Sequence, residues 1–394
     1  MSRVGDLKVD EGYKPFLSFT KEELVEFFKE IGLPAYRVNQ MRRWVYARKT
    51  PRISMMSDLS KETRERLTRL FGRPERATAG QTSLLIRNAS RETVAADEND
   101  AEDSIYEGRL VAKSISDDGS EKLLIEWRDG RRVECVLLRD DRDHRTACIS
   151  VQVGCAMSCA FCASGLGGFV RNLTKSEIVE ELLRLNALLP KDERLTHIVV
   201  MGTGEPTQNL NALLPALEVA TSSDGIDVSN RRVTISTVGV PAGILRLAQE
   251  KTHYKLAVSL HAPNDAIRDQ IMPQNRVHPI AEVLSAADAF FRTTGRRVTF
   301  EYILLDGINA SAREARELAR LLRNKTAIVN VIPYNPAPEL PFKTPSTATV
   351  KRFVSTLEEE GIQVKVRFKK GDRINAACGQ LRWSLRDEKE KKDA

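Results

Sequence analysis

Residues 147–165 read ACISVQVGCAMSCAFCASG. An apolar and β-branched run ends at Gly154, and Cys155, Cys159 and Cys162 follow within eight residues. The first seven residues read as a strand, and the C-x3-C-x2-C spacing falls on the loop after it, where a chain can wrap a metal centre. Three thiolates cannot complete the four-cysteine ligand set of an ordinary [4Fe-4S] cluster, so one iron is left open for a substrate or cofactor. A zinc site with a distant fourth ligand is the alternative, although zinc more usually shows paired CxxC or Cys/His knuckles.

Downstream of this stretch, strand-like runs alternate with helix-length segments: HIVVMG, RVTIST, KLAVSL, RVTFEYIL, AIVNVIP and QVKVRF. That order predicts parallel strands with crossover helices. Six or seven such units are too many for a small sheet and slightly few for an eight-stranded barrel, so a partial, open βα barrel is expected, with function at the C-terminal ends of its strands. The helix beginning near Thr174 carries a capping box with Glu177.

Upstream, residues 20–72 read as helical, opening with a capping box of Thr20 and Glu23. The second helix carries Arg37, Arg42, Arg43 and Arg48 beside Trp44 and Tyr46, groups that can grip and stack on RNA, or equally a solvated face over a small core. Between about 80 and 146 shorter alternating stretches flank turn signals at Asp117-Asp118-Gly119 and Asp129-Gly130. The acidic stretch 91–104 within them reads as a flexible insertion without an assigned role. The expected division is a helical accessory domain over 1–77, a candidate for RNA binding, a β-hairpin linker module over 78–146, the barrel over 147–372, and a C-terminal segment with a charged tail over 373–394.

The chain has 394 residues, 41% of them hydrophobic and 29% charged, with no apolar run near the roughly 20 residues that span a bilayer. No membrane span is expected. The N-terminus lacks the apolar stretch of a signal peptide, which predicts a cytoplasmic protein with reduced thiols. The net charge of +7 suits a polyanionic partner, but 61 basic and 54 acidic residues make a solvated surface an equal explanation.

The cysteine spacing, with Phe161 just before the third cysteine, resembles the signature loop of the radical S-adenosylmethionine (SAM) superfamily. The resemblance implies one [4Fe-4S] cluster on Cys155, Cys159 and Cys162, whose open iron chelates SAM and delivers the electron that cleaves it to a 5′-deoxyadenosyl radical. Gly202-Thr203-Gly204-Glu205-Pro206 resembles the motif that holds the amino group of SAM, through Gly204 and Glu205. Ser236, Ser259, Leu260, His261 and Asn335 fall at later strand ends, as further candidates for the ribose, carboxylate or adenine of SAM.

With GFVRNLT, MGTGEP, VTISTVG, SLHAPND, IPYNP and INAACGQL following in order, residues 20–383 are similar to the RlmN/Cfr family of radical SAM RNA methyltransferases, and more to its RlmN side. An adenine C2 or C8 carbon offers no nucleophile to the methyl of SAM. The resemblance implies that one SAM methylates Cys378 and a second supplies the radical that activates this methyl group. Glu134 then accepts the departing proton, and Cys148 releases the product through a transient disulfide with Cys378. Cys135, on the opposite side of its strand from Glu134, reads as packing. The implied substrates are an adenine C2 in the peptidyl-transferase region of 23S rRNA and the adenine beside the tRNA anticodon. A flavodoxin-type electron donor and a monomeric state are also implied. A C8-directed, Cfr-like enzyme and a noncatalytic iron-sulfur RNA-binding protein are the competing readings.

Overall fold

The computed structural model describes residues 14–73, 84–87, 90–93, 97–367, 374 and 379–381. Three helices open the chain: α1 (Lys21–Glu30), α2 (Tyr36–Arg42) and α3 (Lys61–Phe71). The Thr20/Glu23 box caps α1 with both of its reciprocal hydrogen bonds, and the Ser60 hydroxyl accepts the Thr63 N–H at the start of α3. The second helix does not run on to residue 48 as a single α-helix, because it widens to a π-turn over Arg43–Ala47. Phe16, Phe19, Phe27 and Phe28 surround Phe71 at ring separations of 5.5–6.4 Å and form the centre of this unit.

The strands that follow are β1 (Leu84–Arg87), β2 (Ser90–Thr93), β3 (Arg109–Ile115), β4 (Glu121–Glu126), β5 (Arg132–Arg139), β6 (Arg145–Cys148), β7 (Gln152–Gly154) and β8 (Phe169–Asn172). The barrel continues through α4 (Lys175–Ala187), β9 (His197–Val200), α5 (Leu210–Thr221), β10 (Val233–Thr237), α6 (Pro241–Gln249) and β11 (Lys255–Ser259). It ends with α7 (Asp265–Ile271), α8 (Ile280–Thr294), β12 (Val298–Leu304), α9 (Ala312–Leu322), β13 (Ala327–Pro333), α10 (Thr347–Glu359) and β14 (Val364–Val366). The Thr174/Glu177 box caps α4.

Among the described residues twelve strands form one sheet in the order β14-β13-β12-β11-β10-β9-β6-β5-β4-β3-β1-β2. From β6 to β14 all neighbours are parallel, which bears out the open βα barrel. It stays open for a local reason. The outer edge of β6 is occupied by antiparallel β5, with Val136 opposite Cys148, so no edge remains there for β14 to pair with. The hairpins with turns at Gly119 and Gly130, both at positive φ, therefore extend the barrel sheet.

The helical unit docks against α4 and the loop that follows it. Lys175 Nζ donates to the carbonyls of Ser18 and Phe19, and Lys49 Nζ donates to the Pro190 carbonyl at 2.7 Å beyond the end of α4. Arg42, read from sequence as a candidate RNA contact, is 6% exposed and pairs with Asp224 at 3.2 Å, whereas Arg43 and Arg48 are exposed.

The acidic stretch is anchored from Asp97 onward, contrary to the flexible insertion expected. Asp97 and Asp100 pair with Arg184 of α4 at 3.2 and 2.8 Å, and Asp103 pairs with Arg52. Arg184 is 3% exposed. It also binds Glu180 at 2.8 Å and the Gly108 carbonyl at 2.7 Å, and lies over the Tyr106 ring. No helix of the described residues is long and apolar enough to cross a membrane.

Candidate active site

The cysteine loop starts at a position that only glycine can fill. Gly154 has φ 73°, and a Cβ there would meet the Gly168 carbonyl oxygen at 1.9 Å. That same carbonyl accepts the Cys155 N–H at 2.9 Å, so β8 fixes the first cysteine. The Ala160 N–H binds the Ile271 carbonyl at the end of α7, and Cys162 closes a turn on the Cys159 carbonyl. Phe161 buries itself beside Ile271, Met272 and Ile303, which seats the loop on the barrel. Its ring meets that of His261 edge to face, with centroids 4.9 Å apart.

Cys155, Cys159 and Cys162 line one cleft, whose mouth is open to solvent. Gly204, Glu205, Ser236, Ser259 and His261 line the same cleft at the ends of β9, β10 and β11. Leu260 and Asn335 do not. Leu260 is fully buried and gives its carbonyl to Arg268, and Asn335 is buried next to Pro336, whose carbonyl accepts from Gln380 Nε2. Cys378 lies outside the described residues. Its neighbours Gly379 and Leu381 accept hydrogen bonds from the Ala163 N–H and the Ser164 hydroxyl, at 2.8 and 2.6 Å.

All three thiols are disfavoured as free thiolates. Burial pushes Cys155 up to about 11 and raises Cys159 and Cys162, and the nearness of other thiols and of Glu205 adds to the rise at the first two. Three half-buried, unoxidised cysteines on one loop, each disfavoured as a bare thiolate, fit iron, which replaces their protons and supplies positive charge. No three His, Cys, Asp or Glu side chains among the described residues converge on a single ion position. A four-iron cluster does not require it, since each thiolate takes its own iron.

Glu205 is 1% exposed and tightly oriented. Its carboxylate accepts the Thr207 N–H at 3.0 Å and the Val238 N–H at 2.9 Å, while its own N–H donates to Gln152 Oε1. Burial pushes the carboxyl above its ordinary range, against these hydrogen bonds. A cationic amino group brought into the cleft would favour the charged form. Gly204, at φ 111°, has no room for a Cβ, which would lie 2.7 Å from that of Gln152.

His261 adopts φ 58°, a conformation rare for a side-chain-bearing residue. Asn309 Nδ2 holds its carbonyl at 2.8 Å, and its own N–H donates to the Glu301 carbonyl. The Ile303 N–H donates to His261 Nδ1 at 3.0 Å, which puts the ring proton on Nε2. Burial, aided by the Arg268 charge, lowers its pKa to about 3, so the ring is neutral.

Arg268 on α7 ties the strand ends together from behind. Its five N–H groups go to the carbonyls of Leu260, His278, Val238 and Ser259 and to Asn275 Oδ1. None of these acceptors is charged. The reading of the sequence missed this residue, because an arginine on a seven-residue helix shows no sign of burial.

Glu134 and Cys148 stand on the same face of neighbouring strands, since Glu134 and Val136 are two apart and Val136 faces Cys148. Glu134 is 2% exposed, with Lys122 Nζ 2.8 Å from its Oε1. Cys148 packs with Val136, Ile374 and Leu381. Cys135 points the other way and is fully buried in the main core.

The sequence matches the model of the radical SAM superfamily over residues 149–322 and that of the ribosomal RNA large subunit methyltransferase N-terminal domain over 15–71. A protein of Rhodopirellula baltica named "Probable dual-specificity RNA methyltransferase RlmN" is 47% identical over 93% of this chain and 90% of its own length. The chain belongs to the RlmN family of radical SAM RNA methyltransferases. A Moorella thermoacetica protein of the same name is 41% identical over 93% of this chain and 96% of its own. The crystal structure of a radical SAM methyltransferase from Sphaerobacter thermophilus superposes with a TM-score of 0.82 at 38% identity, covering 93% of this chain and 99% of that one. The chain is thus a SAM-dependent RNA methyltransferase, and its family carries a [4Fe-4S] cluster and SAM.

Proposed function

We propose that this enzyme methylates C2 of an adenine in the peptidyl-transferase region of 23S rRNA and of the adenine beside the anticodon in tRNAs, using Cys378 as methyl carrier. The observation that carries this reading is the meeting of two segments. Cys148 packs with Ile374 and Leu381, which flank residue 378 in sequence, and Gly379 is bound by the backbone of the cysteine loop. A methyl carrier has to serve both a radical source on that loop and a second thiol, and these contacts draw its neighbours toward both.

Cys155, Cys159 and Cys162 would hold the cluster, with Gly204, Glu205, Ser236, Ser259 and His261 as the residues assigned to SAM, and Leu260 and Asn335, which lie off the cleft, dropped from that set. Two molecules of SAM serve each turnover. When bound, the cluster and SAM supply a hydrogen-abstracting 5′-deoxyadenosyl radical. The remaining steps belong to the protein. The Cys378 thiolate takes a methyl group from one SAM by displacement, and the methyl carbon, activated by loss of a hydrogen atom, bonds to the adenine. Glu134 takes the proton that leaves the ring carbon, and the electron left unpaired by the addition would go back to the cluster, which leaves a closed-shell methylene bridge. The Cys148 sulfur bonds to the Cys378 sulfur as the sulfur–carbon bond breaks, and the freed carbon takes up a proton to become the methyl group. A flavodoxin-type protein is proposed as electron donor, and a monomer as the working form.

Digestion of RNA treated with the reconstituted enzyme should yield 2-methyladenosine. A product consisting of 8-methyladenosine alone overturns the C2 assignment. Cys148→Ala should leave a covalent protein–RNA adduct on a denaturing gel, whereas clean release at parental turnover removes Cys148 from the reaction.

A further inference from the structure

The hairpin of β7 and β8 leaves apolar surface bare next to the cysteine loop. Leu166, Phe169 and Val170 are 54%, 47% and 42% exposed. Phe169 pairs with Gly154, the residue before Cys155, and the register shifts between Val153 and Gly154, so Val170 is the extra residue of a β-bulge. A bulge bends a strand and re-aims its side chains, which turns neighbouring residues outward together.

The hairpin is nonetheless held firmly. The Gly168 carbonyl binds the Cys155 N–H. Arg171 makes two 2.8 Å hydrogen bonds to the Glu177 carboxylate and one of 2.6 Å to Asp129. An apolar surface this well fixed and left in water is pre-organised for a ligand.

Its position and size narrow the choice of ligand. Gly165, next to Leu166, lines the cleft, and Ala163 binds Gly379 beside the cysteine assigned as methyl carrier. A nucleotide that enters the cleft beside Gly379 comes close to the hairpin. A ring carbon of adenine can be reached only when the base is out of its stack, which leaves a neighbouring base with one face uncovered. An exposed aromatic ring covers such a face without regard to sequence. Three side chains fall far short of the 20–30 residues that each partner gives to a stable protein interface.

We propose that Phe169, supported by Leu166 and Val170, is the stacking platform for a base adjoining the adenine that is methylated. This rests on the reading of the chain as an enzyme acting on an unstacked adenine in rRNA or tRNA.

The test uses the full-length, cluster-reconstituted protein with an unmodified tRNA transcript and a fragment of 23S rRNA, at fixed salt. Phe169→Ala should weaken RNA binding roughly tenfold, while Phe169→Trp stays within about threefold of the parent. Iron content of both variants should equal that of the parent. An abasic residue beside the target, placed on one side and then on the other, should abolish the difference between parent and Phe169→Ala in one of the two RNAs. Equal RNA affinity of parent and Phe169→Ala overturns the proposal. So does a defect confined to turnover with a flavodoxin as reductant and absent with dithionite, which would assign the surface to an electron-donor protein. If the parent neither binds nor methylates these RNAs, the functional reading fails; if only Phe169→Ala behaves as the parent, this inference fails alone.

Discussion

Two fully enclosed arginines are treated in opposite ways. Arg184, on α4 where the anchored acidic stretch meets the barrel, faces Glu180, Asp97 and Asp100. Burial works against its charge, and the three carboxylates more than reverse this, so its pKa lies above the ordinary value. Arg268, behind the cleft, has only neutral acceptors, and burial lowers it to about 10 against weaker help from Cys159, Asp265 and Asp269. One charge is neutralised by the scaffold. The other is left over where the cysteine loop packs, and its field reaches Cys159 and His261. The scaffold uses ion pairs to join parts of the chain, whereas the site keeps an unspent positive charge for the anionic centre that its thiolates would form.

The contrast can be broken most severely at Arg184. Arg184→Met leaves three carboxylates facing one another in the interior, and should cost about 3–5 kcal/mol, read as a lower denaturation midpoint. At His261 the effect is a slope. Its pKa is about 3 when folded and about 6.5 when unfolded, so between these values the unfolded chain binds the extra proton. Stability from this group is complete above about pH 6.5 and falls as pH drops, by up to about 1.4 kcal/mol per pH unit. Urea unfolding at several pH values should show this slope in the parent relative to His261→Gln.

Arg268→Met should lower the midpoint potential of the reconstituted cluster by on the order of 100 mV, roughly the interaction of two charges several ångströms apart at an effective dielectric near 20. Arg268→Lys keeps the charge and should keep most of the potential. Equal potentials in parent and Arg268→Met would mean that the leftover charge has no bearing on the cluster. An exposed third case sets the lower bound. Arg194 pairs with Asp227 in water, both side chains about half exposed, and Arg194→Ala should change stability by less than about 0.5 kcal/mol.

Local and periodic features were the legible ones. Six of the seven strand-like runs became the parallel strands β9 to β14, whereas the first, 147–153, divides between the end of β6 and β7, which pairs with β8 in a sheet of its own; both capping boxes formed where the spacing of Thr and Glu put them. The cysteine loop and the GTGEP turn follow strands β7 and β9, and those positions alone bring them to one cleft. What escaped was long-range pairing of charges. Asp97 and Asp100 read as solvent-loving until Arg184, more than eighty residues away, is seen to need them. Arg42 carries the same lesson, because its partner Asp224 comes from the turn after α5. Asn335 sits at a strand end like its companions, yet β13 leads it away from the cleft wall. No rule of spacing distinguishes a strand end that faces a cleft from one that faces its neighbour.

Because β5 holds the free edge of β6, the parallel strands make a trough instead of a ring. A ring admits what fits its mouth, and a long polymer could enter only by an end or a loop narrow enough to thread. A trough accepts the same polymer from the side, at any point along its length. An enzyme with this outline can work on a nucleotide deep inside a chain of thousands, with no terminus to find and nothing to unthread when it lets go.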